Sequence, residues 1–430
     1  MNEDLAATAI WGSQQTELRN EGKYDGVFGL WYGKGPGVDR CGDVFRHSNL
    51  AGTSKYGGVL VAMGDDHSAE SSTELHQSEY ALVDAMMPIL SPAGVQDILD
   101  FGIKGWALSR YSGLWVGIKC LKDTIEVTEV VDAAYDRIKI VDPQDKDHEE
   151  LNIRLGDTPP AREDRLHNKK LRAAKIFARA NNLNRVDYSP TEKKIGIISA
   201  GKSWLDTVHA LSLLGIDREE AEKYKLTTLK LGMVWPIDDG FVKDWADGLD
   251  KILVVEEKRG LIESQVKEAL YGMVNSPKII GKHDDNGELL LPSNGVLDPI
   301  IVGKAIANKL IGSLKSEKLE NALNSMSIGA RSEANTPAPD RIPYFCSGCP
   351  HNSSTKVPEG SIAYAGIGCH TMAIWMDRAT DGPTHMGGEG INWIGQAPFS
   401  NRNHVFQNLG DGTYNHSGLL AIRAAVASNA

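Results

Sequence analysis

The stretch VFQNLGDGTYNHSG, residues 405–418, decides how the C-terminal part of this 430-residue chain folds. Its apolar first half, residues 405–409, predicts a β-strand, and residues 419–426 predict a helix. Between them stands Gly410-Asp411-Gly412, where glycines let the backbone approach phosphate groups and a carboxylate suits a hard cation such as magnesium. The pattern indicates a site for a phosphate-bearing ligand and its metal ion, although such a turn is also common where nothing binds.

Composition limits the classes of protein to which the chain can belong. Hydrophobic residues make up 41% and charged residues 24%, which is typical of a soluble globular protein. The net charge of −11 disfavours nucleic acid as a partner, because phosphate backbones bind to basic surfaces. We find no apolar run long enough to span a membrane and no signal peptide. The five cysteines are few and odd in number, which favours a reducing cytoplasm over structural disulfides.

Alternating strand-like and helix-like segments predict an α/β protein built on doubly wound parallel sheets. Strands are predicted over residues 24–32, 57–63, 194–199, 227–232 and 251–257. The predicted organisation is an α/β domain over residues 1–135, a linker or peripheral segment over 136–190, a second α/β domain over 191–312, a linker over 313–340 and a third α/β region over 341–430. Pro159-Pro160 interrupts the first linker, and a basic helix is predicted over residues 169–182. Both ends look cut, because the helix after Gly412 needs a following strand, so we expect a piece of a longer polypeptide.

A rival function comes from GIISAGKS, residues 196–203, which matches the P-loop of nucleoside triphosphatases. The residues between the two glycines of a P-loop must wrap a phosphate, whereas Ile197 and Ile198 are more naturally part of the strand. A second strand ending in aspartate is also missing, since residues 253–255 lead into Glu256-Glu257. The context therefore favours an ordinary strand-to-helix turn.

Three cysteines and a glycine cluster are further candidates for a site. Cys346 and Cys349 form a CxxC pair, and Cys369 follows in GIGCH, residues 366–370. Zinc, an iron–sulfur cluster and a redox dithiol are all compatible with this spacing, as are unliganded turn cysteines. Glu389 stands in the glycine cluster 387–390, which indicates either a loop beside a ligand or a plain turn.

The N-terminal region adds side chains that could bind an anionic substrate. Arg40, His47 and His67 are the candidates, although each is also compatible with a structural or surface role. Glu3 begins a predicted helix and needs no explanation beyond that of an ordinary acidic residue at a helix N-terminus.

Taken in chain order, these motifs resemble those of the 2-oxoacid:ferredoxin oxidoreductases, and within them the long fused indolepyruvate ferredoxin oxidoreductases. The resemblance covers nearly the whole chain. Its most specific stretches are WYGKGPGVDR (31–40), GDVFRH (42–47), GDDH (64–67), CSGCPH (346–351) and GDGTYNHSG (410–418).

The resemblance implies a thiamine diphosphate-binding fold with a transketolase C-terminal-like domain over residues 191–312. Glu3 would be the glutamate that contacts the aminopyrimidine of the cofactor, with a raised pKa. Asp411 would bind magnesium, whose second ligand, an asparagine, would lie beyond residue 430. The resemblance assigns six residues to cofactor binding: Gly368, Cys369, His370, Gly410, Asp411 and Gly412. It assigns a [4Fe-4S] cluster to Cys346, Cys349 and Cys369.

The implied activity belongs to the longer parent polypeptide, and this piece alone is expected to be inactive. It is oxidative decarboxylation of an aryl 2-oxoacid with coenzyme A, in which electrons pass through iron–sulfur clusters to ferredoxin. The partners would be ferredoxin, coenzyme A, the 2-oxoacid and further copies of the chain, in the cytoplasm. A non-redox thiamine enzyme, such as a decarboxylase or transketolase, is the alternative, and a P-loop triphosphatase is the more distant one.

Overall fold

The computed structural model of the protein describes residues 2–70, 72, 74–145, 151–312, 317–333 and 344–429. The chain divides into a larger compact unit, Glu3–Glu333, and a smaller one that holds Ala334–Ala430 with Met1–Asn2. Parts of the two predicted linkers, residues 146–150, 313–316 and 334–340, lie outside the described residues. The predicted domain boundaries stay predictions.

The first sheet of the larger unit is built from four parallel strands near the N-terminus. They are β1 (Phe28–Lys34), β2 (Gly58–Asp65), β3 (Ile89–Leu90) and β4 (Val116–Leu121), in the spatial order β1-β2-β4-β3. The helices around them are α1 (Glu3–Ser13), α2 (Gly35–Arg40), α3 (Gly42–Ala51), α4 (Glu79–Asp84), α5 (Val95–Ser112) and α6 (Lys122–Ile125), with a 3₁₀ turn at Thr16–Arg19. The first strand begins later than predicted, at Phe28, because Asp25-Gly26 before it favours a turn.

The helix predicted over residues 169–182 begins ten residues earlier. Helix α7 (Pro159–Arg165) continues through a π-helical turn, Leu166–Lys170, into α8 (Leu171–Ala180). The two prolines open this helix rather than interrupting it, because proline suits the first helical turn, where no backbone N–H is needed. Thr158 caps the helix by accepting a hydrogen bond from Ala161 N at 3.4 Å.

The second sheet follows as β5 (Arg185–Val186), β6 (Ile195–Ala200), β7 (Leu226–Leu231), β9 (Lys251–Val255) and β10 (Lys278–Ile280), in the order β10-β9-β6-β7-β5. The intervening strand β8 (Met233–Trp235) leaves this sheet and pairs antiparallel with β3, so it completes the first sheet. Helices α9 to α14 are Gly201–Leu213, Arg218–Tyr224, Asp239–Ala246, Leu261–Leu270, Pro299–Ala305 and Glu317–Glu333, and a π-helical segment, Ile306–Ile311, follows α13.

The two sheets share one apolar core. Every residue of β6 and of β7 is buried, as expected for central strands of a parallel sheet covered on both faces. A single cluster of buried side chains joins Trp31 and Met63 of the first sheet to Ile198 and Val254 of the second. The predicted α/β class with parallel sheets is confirmed.

The smaller unit carries a three-stranded parallel sheet in the order β12-β11-β13. Its strands are β11 (Ala363–Tyr364), β12 (Thr380–Asp381) and β13 (Phe406–Gln407). Its helices are α15 (His351–Ser354), α16 (Ile391–Gln396), α17 (Asp411–Thr413) and α18 (Leu419–Ser428), with a π turn at Tyr414–Gly418 and 3₁₀ segments at Cys369–Trp375 and Ala397–Phe399. In the part of the chain that the structure describes, no helix has the length and apolarity needed to cross a membrane.

Candidate active site

Two glycine-containing loops meet at one edge of the small sheet. Strands β11 and β13 pair in parallel, so the loops that follow them, Gly366–His370 and Gly410–Asp411, leave from the same edge. Thr413 Oγ1 donates a hydrogen bond to Ile367 O at 3.0 Å. The edge of His370 also lies close to Gly410, since a Cβ on that glycine would be 3.4 Å from His370 Cε1. The structure therefore brings the Gly410-Asp411-Gly412 motif next to the Gly366–His370 loop, two segments that the family resemblance assigns to the cofactor.

His370 lies buried between these loops with an unused polar atom. The side chain is 1% exposed, and its Nε2 has no hydrogen-bond partner. Burial, together with the neighbouring ring of His351 at 5.5 Å, lowers the pKa of His370 to about 4. The imidazole is therefore neutral at pH 7, and its free nitrogen can bind a polar group that enters the site.

Glu389 holds the first loop in place, a role that sequence reasoning did not assign to it. Its buried carboxylate accepts hydrogen bonds from Gly387 N at 2.6 Å and from Ile367 N at 3.4 Å. The glycine cluster around it was the only signal in the sequence, and a plain turn explained that signal equally well. The carboxylate ties the 387–390 turn to the Gly366–His370 loop.

Gly366 is too crowded to carry a side chain. A Cβ there would lie 2.7 Å from Glu389 Cγ, 2.8 Å from Asn408 O and 2.8 Å from His370 Nε2. We expect Gly366→Ala to lower the free energy of unfolding by about 1–3 kcal/mol, because a backbone oxygen cannot move aside cheaply. Thermal melting measures this, with Gly395→Ala as the control, since a Cβ at Gly395 meets nothing within 4 Å. Equal melting temperatures for the two variants would contradict the crowding.

Asp411 is the available carboxylate at this edge. It is exposed and stands in the first turn of the helical run that continues through α18, where a helix favours negatively charged groups. Magnesium in such sites takes one or two carboxylates and completes its shell with phosphate oxygens and water. The chemistry of the loops, of the unpaired His370 Nε2 and of the Asp411 carboxylate is therefore compatible with a diphosphate and its metal ion.

The three cysteines do not fit a cluster site as they stand. Cys346 and Cys369 are exposed, Cys349 is half-buried, and all three are free thiols. Within the described residues, no three His, Cys, Asp or Glu side chains are grouped so that they could hold a metal ion. A cluster held by Cys346, Cys349 and Cys369 stays a prediction.

Glu3 lies in the larger unit at the carboxyl end of β1. It begins α1, and its carbonyl oxygen accepts a hydrogen bond from Trp31 Nε1 at 3.0 Å. Its half-buried side chain packs against Gly37, where a Cβ would lie 2.9 Å from Glu3 Cγ. The carboxyl ends of parallel strands are where ligands bind in α/β proteins, so this position suits the predicted role.

The three substrate candidates occupy different settings, and their role stays a prediction. Arg40 ends α2 and is half-buried. The side chain of His47 is 58% exposed and lies 3.5 Å from Asp43. His67 is buried, and its Nδ1 is hydrogen-bonded to Glu257, a residue of the second sheet region.

The P-loop pattern is an ordinary strand-to-helix turn in the structure. Strand β6 includes Ile197 and Ile198, and α9 begins at Gly201, so no loop remains to wrap a phosphate. Lys202 is buried, and its Nζ donates to Asp206 at 2.8 Å, Glu257 at 3.1 Å and Leu297 O at 2.7 Å. These bonds use all three of its donors, which argues against a role in binding a triphosphate.

Lys202 and His67 belong to a set of buried charged side chains that joins the two sheets. We call this set the buried charge group: Asp65, His67, Glu79, Lys119, Lys202, Asp206 and Glu257. Burial alone would raise the pKa of Glu257, but the hydrogen bond from His67 and the ammonium of Lys202 lower it to about 2. Burial raises the pKa of Asp206 to about 6, although the hydrogen bond and the charge of Lys202 act to lower it.

We expect Glu257→Gln to destabilise the protein by roughly 2–4 kcal/mol at pH 7, because it leaves buried Lys202 and His67 without their shared carboxylate. Since the pKa of Glu257 is lower in the folded protein than its ordinary 4.5, its stabilisation is present above pH 4.5 and is lost as the pH falls towards 2. The stability difference between wild type and variant should therefore shrink below pH 4.5 in urea titrations. Glu268→Gln, at an exposed position, is the control. A stability difference between wild type and Glu257→Gln that stays constant down to pH 3 would refute the pairing of Glu257 with Lys202 and His67.

Comparison with known proteins gives a matching family model and relatives along most of the chain. The family model described as the indolepyruvate oxidoreductase domain matches residues 185–333. The chain is 25% identical over 413 residues to the indolepyruvate oxidoreductase subunit IorA of Methanothermobacter marburgensis, covering 93% of this chain and 62% of that protein. It is also 25% identical over 414 residues to IorA of Pyrococcus abyssi, covering 91% of this chain and 60% of the relative.

A solved structure, the 2-oxoglutarate:ferredoxin oxidoreductase of Magnetococcus marinus with 2-oxoglutarate, coenzyme A and succinyl-CoA bound, matches with a TM-score of 0.47 at 14% identity, covering 71% of this chain and 55% of that one. The sequence relatives confirm the resemblance to the indolepyruvate oxidoreductases. The chain spans about three fifths of the length of the curated relatives it matches.

Proposed function

We propose that the protein takes part in the thiamine diphosphate-dependent oxidative decarboxylation of an aryl 2-oxoacid of the indolepyruvate type. The observation that carries this proposal is the meeting of the Gly366–His370 and Gly410–Asp411 loops at the carboxyl edge of one parallel sheet. Support comes from the relatives, which are named indolepyruvate oxidoreductase subunits. The acceptors of the proposed reaction are coenzyme A for the acyl group and ferredoxin for the electrons.

Each loop would hold one part of the cofactor. Backbone groups at Gly368, Cys369, Gly410 and Gly412 would lie against the diphosphate, because glycines permit that approach. Asp411 would bind the magnesium ion, and the free Nε2 of neutral His370 would bind a polar group of the ligand.

Thiamine diphosphate, when bound, supplies the carbon nucleophile and accepts the electron pair that stays behind when carbon dioxide departs. The task of this chain is to place a proton correctly. The Glu3 carboxyl would hold a proton at the ring nitrogen of the aminopyrimidine, and a carboxyl with a raised pKa is suited to that task. Arg40 and His47 remain proposed contacts for the substrate carboxylate. The assignment of His67 stays a prediction from the sequence alone, because its ring is hydrogen-bonded to Glu257 within the buried charge group.

The electron route is a separate part of the proposal. A [4Fe-4S] cluster on Cys346, Cys349 and Cys369 stays a prediction, since these thiols are not grouped as ligands in the described structure. Iron and sulfide analysis of anaerobically purified protein tests it. We also propose that the protein forms a homo-oligomer and acts in the cytoplasm.

The first test is calorimetric titration of the protein with thiamine diphosphate, with and without magnesium. We expect magnesium-dependent binding with a micromolar Kd. A folded protein that binds no thiamine diphosphate in magnesium would overturn the proposed function. Binding without any reduction of ferredoxin in the presence of a 2-oxoacid and coenzyme A would instead favour a non-redox thiamine enzyme.

A further inference from the structure

A small cavity lies where the buried charge group joins the two sheets. It measures about 40 Å³ and is lined by His67, Glu79, Lys119, Lys202 and Glu257, among others. In the second sheet, β7 lies on one side of β6 and β9 on the other, so the strand order reverses between β6 and β9. Ligands of open α/β sheets bind beyond the carboxyl ends of the strands at such a reversal, which is where Lys202 and Glu257 stand.

Two residues that line the cavity each carry a buried polar atom without a partner in the protein. The atoms are His67 Nε2 and Glu79 Oε2, and both residues are 6% exposed. The Glu257 carboxylate can only accept hydrogen bonds, so His67 donates to it through Nδ1–H. Burial, together with the charge of Lys119, lowers the pKa of His67, which leaves the ring neutral and makes Nε2 an acceptor. Both unpartnered atoms therefore require a hydrogen-bond donor.

The charges around the cavity do not balance. Within the buried charge group, the carboxylates of Asp65, Glu79, Asp206 and Glu257 face only two ammonium groups, those of Lys119 and Lys202. Four buried residues lie next to the group: Glu256, Glu263, Lys258 and Lys282. Because burial raises the pKa of Glu256 to about 7, these four residues reduce the excess by less than one charge. A buried excess of negative charge favours a cation in the space beside it.

We propose that this cavity binds an ammonium group, either free ammonium or the protonated amine of a small molecule. An ammonium group supplies both of the missing features, a positive charge and N–H donors for His67 Nε2 and Glu79 Oε2. The volume is enough for about three water-sized molecules, which admits ammonium or a short alkylamine and excludes larger ligands. A metal ion is a poorer fit, because no three ligand side chains are grouped around it in the described part of the chain.

The test compares melting temperatures of the wild-type protein in chloride salts of ammonium, methylammonium, potassium and sodium at equal ionic strength. We expect a saturable rise of about 2–4 °C in ammonium that potassium and sodium do not produce. A matching rise in methylammonium would identify an amine-bearing ligand, whereas a rise in ammonium alone would identify the free ion. Equal melting temperatures in all four salts would overturn the proposal and leave water in the cavity.

Two further measurements keep the test decisive. Glu79→Gln should abolish the ammonium-specific rise, and Glu268→Gln, an exposed control on α12, should keep it. If Glu79→Gln does not fold, NMR of the wild-type protein with ¹⁵N-ammonium replaces it, because a bound ion gives a separate, saturable signal. The absence of that signal at saturating ammonium would also overturn the proposal. None of these readouts involves thiamine diphosphate, so the outcome is independent of the proposed function.

Discussion

Glu3→Gln is expected to reduce turnover of the 2-oxoacid by about 100- to 10,000-fold while the Kd for thiamine diphosphate stays within a few-fold of the wild-type value. Glutamine keeps the size and the polarity of the side chain but cannot hold or release the proton. The side chain at position 3 should keep its place at the carboxyl end of β1, packed against Gly37, in the variant. The measurement pairs calorimetry of cofactor binding with an assay of indolepyruvate-dependent reduction of ferredoxin in the presence of coenzyme A.

The neighbouring acid offers a matched control for Glu3. Asp4 lies in the same first turn of α1, so Asp4→Asn changes the charge of the helix N-terminus to the same extent. We expect Asp4→Asn to retain most of the turnover. Wild-type turnover in Glu3→Gln would remove Glu3 from the proposed mechanism, and equal losses in both variants would point to a general effect of charge.

The second large effect is expected for Asp411→Ala, which should weaken magnesium-dependent binding of thiamine diphosphate by at least about 100-fold. Asp411 is the carboxylate at the edge where the two loops meet, and it would be the protein ligand that holds magnesium beside the diphosphate. Because the side chain is exposed, its removal should leave the melting temperature of the protein without cofactor unchanged. Titrations at several magnesium concentrations measure the effect.

Asp381→Ala serves as the control for Asp411→Ala. Asp381 is an exposed aspartate at the end of strand β12 in the same small sheet. Its replacement should leave the affinity for the cofactor unchanged. Undiminished binding by Asp411→Ala would mean that Gly410-Asp411-Gly412 is only a turn, and the cofactor assignment would then fail.

Local patterns in the sequence predicted the strands and turns well. Residues 194–199 and 251–257 lie within one or two residues of β6 and β9, because continuous apolar β-branched runs have few alternatives to a buried strand. The same reasoning predicted that Ile197 and Ile198 would occupy the strand and not a P-loop, and the structure confirms this. Pro159-Pro160 shows the limit of prediction from local sequence patterns, because proline opens a helix as readily as it interrupts one. Only the cap at Thr158 distinguishes the two outcomes.

Contacts between distant segments could be seen only in the tertiary structure. His67 meets Glu257 across 190 positions of sequence, and strand β8 leaves its neighbours in the chain to complete the first sheet. Glu389 likewise accepts a hydrogen bond from Ile367 in another loop, and His370 lies close to Gly410. The sequence by itself determined the α/β class, the glycine turns and the family resemblance, because these depend on residues close together in the chain. Only the fold decided which charges are buried against each other, because the burial and pairing of a side chain depend on segments that the chain brings together from far apart.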